Sequence, residues 1–112
     1  MSDVMPPTTG EPALRVLVER IVGAFRPHAV YLFGSRAEGR GGDDSDWDLL
    51  VVVPDDTPPE KLTVVAGYAA IRGSGIAADV IPTRQSRFEA LKRQVGSLSY
   101  AAWHRGRLVY GE

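Results

Sequence analysis

Five consecutive apolar residues, Leu49-Leu50-Val51-Val52-Val53, follow Asp46-Trp47-Asp48 and constrain the fold more than any other stretch of the chain. A strand with one face in water alternates apolar and polar residues, so an unbroken run of aliphatic strand formers requires apolar cover on both faces. Asp46–Val53 is therefore expected to be the central strand of a sheet, and the rest of the chain has to supply what covers it.

Periodicity identifies that cover. Leu14, Leu17, Val18, Ile21, Val22 and Phe25 recur at three- and four-residue spacing, which predicts a helix over Pro12–Phe25 that Pro27 stops. Ala29–Phe33 has strand composition and ends at Gly34. Ser35–Gly42, small residues with three glycines and two arginines, predicts one helical turn and then an open loop that runs through Asp43-Asp44-Ser45. After a break at Pro54–Pro59, Leu62, Val65, Ala66, Ala69 and Ala70 predict a helix over Glu60–Arg72, ended by Gly73-Ser74-Gly75.

Ile76–Ile81 is the third expected strand, closed by Pro82, and Arg84–Val95 reads as a helix with Phe88, Leu91 and Val95 on one side. Ser97–Trp103 adds a short turn, and Leu108-Val109-Tyr110 a final edge strand after Gly106. Residues 1–10 form an expected flexible leader and 11–112 a single domain. This order specifies an α/β fold, a small mixed β-sheet with helices packed on it. The first two strands are joined too briefly for a parallel crossover, so they should pair antiparallel.

Composition narrows the chemistry. No cysteine is present, so disulfides, thiolate catalysis and cysteine-rich zinc sites are excluded and any metal must be held by oxygen or imidazole. A formal net charge of -1 gives no basic field for non-specific nucleic-acid binding. The N-terminal stretch has neither the basic start nor the apolar core of a signal peptide, and no run has the length of a membrane span, which leads to the expectation of a cytoplasmic protein.

The chemical residues lie around the central strand. Gly34 follows a strand and lacks a side chain, so a phosphate can approach its main chain, and Ser35 adds a hydroxyl donor. Asp46 and Asp48, two apart on a strand, project from one face while Trp47 points to the other. Two anions brought together repel, and hard oxygen donors in that arrangement suit magnesium or manganese better than zinc. A two-metal phosphoryl-transfer site also uses a third carboxylate, and Asp79, inside the otherwise apolar Ile76–Ile81, is the candidate if its strand lies beside Asp46–Val53.

The spacing Gly34-Ser35, ten residues, Asp46-x-Asp48 resembles the minimal nucleotidyltransferases, the MNT group of the polymerase-beta nucleotidyltransferase superfamily. The resemblance runs from the leading helix through the Gly-Ser-Arg-Ala-x-Gly turn, the Ser-Asp-x-Asp-Leu-Leu-Val strand and Asp79 to Gly106-Arg107-Leu108-Val109-Tyr110. It implies magnesium-dependent transfer of AMP from ATP to a hydroxyl, with two Mg2+ ions, or Mn2+ in their place. By position, Asp46 and Asp48 would hold both ions, Asp79 would complete the catalytic site, and Gly34, Ser35 and Arg36 would meet the triphosphate. Many MNT proteins are antitoxins paired with an all-helical HEPN toxin, and some transfer AMP to a tyrosine of it. The resemblance thus implies a HEPN-domain protein as partner, in a homo- or hetero-oligomer.

Other assignments compete. Asp-x-Asp also occurs in glycosyltransferases and calcium loops, and Gly34-Ser35 without the aspartates is an ordinary strand-ending turn. A non-catalytic antitoxin that neutralises by binding, or a small-molecule nucleotidyltransferase, would share most of these features. Arg40, Asp43 and Asp44 read as solvated loop charges, His28 and His104 lack companions at metal-ligand spacing, and Trp47 reads as core packing.

Overall fold

The computed structural model describes residues 10–39 and 46–111. In chain order the elements are α1 (Gly10–Phe25), β1 (Ala29–Phe33), β2 (Trp47–Val53), a 3-10 turn at Pro59–Lys61, α2 (Val64–Ile71), β3 (Ala78–Arg84), α3 (Gln85–Leu91), α4 (Leu98–Arg105) and β4 (Arg107–Gly111). The sheet order is β3-β2-β1-β4, with β1 antiparallel to both β2 and β4, and β3 parallel to β2. It is the small mixed sheet that the sequence predicts, and the first two strands pair antiparallel as expected.

β2 is interior, and Leu49 to Val53 are all at most 1% exposed. On one face Leu49, Val51 and Val53 pack with Val30 and Leu32 under Leu14, Leu17, Ile21 and Phe25 of α1 and Ile71 of α2. On the other, Leu50 and Val52 pack with Tyr31 and Phe33 under Phe88 of α3 and Ala102 of α4. Tyr31, Phe88 and Trp103 meet there ring to ring, with centroids 5.3 Å apart for Tyr31–Phe88 and 6.0 Å for Phe88–Trp103. Each apolar residue of β2 has cover because its neighbours alternate between these two clusters.

Several boundaries differ from the sequence expectation, each for a local reason. Glu60–Arg72 is not one helix: Thr63 interrupts it and caps α2 by accepting a 3.0 Å hydrogen bond from the Ala66 N–H. Within α2 the buried residues are Gly67 and Ile71, so Val65 lies 74% exposed instead of in the core. Arg84–Val95 also stops early, at Leu91, and Val95 is 78% exposed. Ser97 divides this region in two, donating its hydroxyl to the Leu91 carbonyl at 2.8 Å while accepting from the Tyr100 N–H at 2.9 Å, so that α4 extends to Arg105 where only a short turn was expected. The leader falls mainly on residues 1–9 and the loop charges on 40–45, outside the described residues.

Pro82 does not close β3; the strand runs through it to Arg84, with Pro82 opposite Val51. The Trp47 N–H donates to the Ala77 carbonyl at 3.2 Å, so odd-numbered residues of β3 turn their main-chain groups to β2 and even-numbered ones turn theirs outward. The Pro82 nitrogen therefore lies on the open side of an edge strand, where no ladder bond is lost. Beside it, Gly67 of α2 packs so close to Val80 that a Cβ would collide with the Val80 carbonyl oxygen.

Candidate active site

The candidate residues gather at one end of the sheet because of strand register. Phe33, the last residue of β1, lies opposite Asp48, and Asp48 lies opposite Asp79 of β3. Residues in register project to the same face, so the turn after β1 and the two carboxylates form a row across three adjacent strands. Asp46 immediately precedes β2 at the same end. Trp47, between the two aspartates, points to the opposite face and is 3% exposed, the packing role its sequence position predicts.

Gly34 makes the bend out of β1 with φ of 79°, a conformation that favours glycine. Its carbonyl accepts hydrogen bonds from the N–H groups of Ala37 at 3.1 Å and Glu38 at 3.2 Å, which forms the expected single turn. A side chain at this position would drive its Cβ into Asp48 Oδ2. Glycine is thus required twice here, by the bend and by the close approach of the main chain to a carboxylate.

Asp48 is half-buried, whereas Asp46 and Asp79 are exposed. Burial first, then the charges of Asp79 and Asp46, then a hydrogen bond with Asp79, push the Asp48 carboxyl up from its ordinary value. β3 is an edge strand and Asp79 is exposed, so the expected cost of burying its charge does not arise.

An all-oxygen cluster in which Asp79 and Asp46 raise the proton affinity of the half-buried Asp48 has the donor chemistry for a hard divalent cation. Among the described residues, however, no three Asp, Glu or His side chains are already spaced as a ligand set for one ion. Asp48 and Asp79 share a hydrogen bond, and Asp46 adds its charge to the pair. The donors fit magnesium or manganese; their final spacing around one would be set on binding.

Arg36 rests its guanidinium 4.1 Å from the centroid of the Trp47 ring, packed against the face opposite Asp48. The indole Nε1 of Trp47 is buried and has no hydrogen-bond partner among the described residues. His104 stacks on Tyr100 at 4.2 Å and joins no metal-ligating group among the described residues.

Sequence reasoning missed the wall beside the carboxylates. A cavity of about 540 Å³ borders Asp46 and Asp79 and is formed by Tyr68, Ile71 and Arg72 at the end of α2 and by the Gly73–Ala78 segment leading into β3. Arg20 of α1 fixes this corner by donating to the Arg72 carbonyl at 2.7 Å. The only sequence signal was the Gly73-Ser74-Gly75 break, which marks a loop without showing that it turns toward the aspartates.

Among the described residues no helix is long and apolar enough to cross a membrane. No curated protein matches the chain. A crystal structure of a candidate nucleotidyltransferase from Sulfolobus solfataricus superposes with a TM-score of 0.58, covering 88% of this chain and 80% of its own at 24% identity, a likeness of fold. The family described as polymerase beta, nucleotidyltransferase, matches residues 17–111, from within α1 through the Gly34 turn and both aspartate strands to the end of β4. With nearly the whole described fold inside that match, the chain belongs to the polymerase beta nucleotidyltransferase family.

Proposed function

We propose that this nucleotidyltransferase domain moves AMP from ATP to a hydroxyl, with the triphosphate on Gly34 and Ser35 and with Asp46, Asp48 and Asp79 as the reactive carboxylates. The observation that carries the assignment is the cross-strand row in which the Gly34 main chain abuts Asp48 and Asp48 faces Asp79. Magnesium, held by Asp46, Asp48 and Asp79, would neutralise charge on the phosphates and lower the proton affinity of the attacking hydroxyl. The chain's own part is placement: Gly34 admits phosphate oxygens close to the main chain, Asp48 sits beneath the α-phosphate, and Asp79 accepts the acceptor's proton. In such transfers most of the rate comes from positioning and charge stabilisation.

The acceptor we assign is a tyrosine hydroxyl of a HEPN-domain toxin, with the chain as its antitoxin, on the strength of the Gly34-Ser35…Asp46-x-Asp48…Asp79 resemblance. Incubation of that partner with α-labelled ATP and magnesium should add label and mass in steps of one AMP, and Asp48→Asn should abolish the addition while the protein stays folded. Undiminished labelling by Asp48→Asn would refute the assignment of the site. Full neutralisation of the toxin by the Asp48→Asn protein, with no added mass, would instead make it an antitoxin that acts by covering its partner.

A further inference from the structure

An apolar cleft lies on the far side of Asp79 from the phosphate turn. Val64 and Tyr68 of α2 form its wall, Val80 and Ile81 its floor, and Asp79 its rim, around a volume of about 240 Å³. Tyr68, 56% exposed, and Asp79 line both this cleft and the larger cavity that reaches Asp46. Val64 is 69% and Val65 74% exposed, so apolar surface continues outward from the cleft along α2. Three large apolar side chains in water on one eight-residue helix, next to acids, are not explained by packing among the described residues.

Sheet order assigns this surface a side of the reaction. Gly34 ends β1, Asp48 lies on β2 and Asp79 on β3, so the three follow one another across the sheet at about 4.8 Å per strand. In-line displacement requires the attacking oxygen, the α-phosphorus and the departing oxygen to lie roughly on a line. With pyrophosphate leaving over the Gly34 turn, the attacking hydroxyl must arrive from beyond Asp79, where the cleft is. Strand addition cannot deliver it, because on the open side of β3 Pro82 lacks an N–H and Gly67 sits against the Val80 carbonyl.

We propose that the cleft of Val64, Tyr68, Val80 and Ile81 is the acceptor subsite and takes an aromatic, hydroxyl-bearing side chain of a polypeptide. This rests on nucleotidyl transfer at the aspartates. The ring lies against Tyr68 and the aliphatic floor, and the neighbouring apolar surface of the acceptor protein covers Val65. The acceptor's O–H oxygen forms the new bond to the α-phosphorus, the bond from that phosphorus to the bridging oxygen of pyrophosphate breaks and its electron pair leaves with pyrophosphate, and the proton passes to Asp79. A polyol, which needs polar partners around its ring, is disfavoured by such walls.

The test uses the full chain with methyl- and amide-labelled NMR and N-acetyltyrosinamide as the probe. It should shift the Val64, Tyr68 and Val80 resonances, Tyr68→Ala should weaken its binding about three- to tenfold, and Tyr68→Phe should stay within about twofold of the original. N-acetylserinamide and myo-inositol should leave those resonances unmoved. Equal response to serinamide or inositol, indifference to Tyr68→Ala, or equal shifts at the exposed Val95 and Leu98 would overturn the subsite. So would a self-associated dimer that Val65→Asp dissociates, since a second copy would then cover the patch. Magnesium–ATP is read separately at Gly34 and Ser35, and silence there would refute nucleotidyl transfer without touching the tyrosinamide result.

Discussion

Replacing Gly34 by alanine separates what the turn does for folding from what it does for chemistry. Alanine at φ of 79° costs about 1–2 kcal/mol in the left-handed region, so the domain should lose at least roughly 4 °C of Tm. The new Cβ also falls onto Asp48 Oδ2, the far end of a flexible side chain, which can yield by rotating away from its position for about another 0.5–1.5 kcal/mol. A reactive group misplaced by about 1 Å can cost on the order of a hundredfold in rate. Gly96→Ala is the control: φ there is 96°, nothing lies within 4 Å of the added carbon, and the position joins α3 to α4 on the way from Leu91 to Leu98. Thermal melts should show a loss for both variants, larger for Gly34→Ala by that added cost. Label transfer from α-labelled ATP should fall on the order of a hundredfold for Gly34→Ala and stay within about twofold for Gly96→Ala. If both variants melt early but Gly34→Ala transfers at the original rate, the close approach of the turn to Asp48 has no bearing on catalysis.

Asp48→Asn should stabilise the protein by about 0.2–1 kcal/mol at neutral pH in the presence of a chelator, because it removes one of two like charges facing each other across β2 and β3. The sign follows from linkage: a carboxyl raised in the folded state binds its proton more tightly there than in the unfolded chain, so stability falls as pH climbs from the ordinary carboxylate value through the raised one. The gap between wild type and Asp48→Asn should therefore open across that acid interval and stay constant above it, and melts showing a pH-independent gap would contradict this. Gly67→Ala sets helix propensity against packing, since alanine gains about 1 kcal/mol inside a helix but its Cβ meets the Val80 main chain, where overpacking costs about 1–3 kcal/mol. Urea unfolding should show net destabilisation, and a stabilised variant would mean that α2 can move off β3 freely.

The strongest sequence signals were those that the fold could satisfy in one way. The run Leu49–Val53 could only be interior, and Asp46, Asp48 and the Gly34 turn were placed at one strand end by spacing alone. Asp79 was found through the cost of burying a charge, yet it faces water, so the residue was legible for a reason the sheet does not use. Pro82 misled because its effect depends on which side of a strand its nitrogen faces, and that depends on sheet order. Val95 misled because a helical period says nothing of where a cap such as Ser97 will cut it, and Val65 misled because α2 buries Gly67 and Ile71 against the sheet rather than its larger apolar residues. Tyr68 carried no signal at all: its place beside Asp79 arises from the packing of α2 on β3.

The open edge of β3 carries a further consequence. A sheet that keeps one edge accessible for a reacting partner also displays unpaired main-chain groups, the usual template for fibril growth and for mispairing during synthesis. Here the outward positions alternate between a carbonyl shielded by Gly67 and an imino acid with no proton to donate. Along Val80–Pro82 the edge is thereby open to side chains and closed to strands, so the acids can sit at a boundary of the sheet without that boundary serving as a template for another strand.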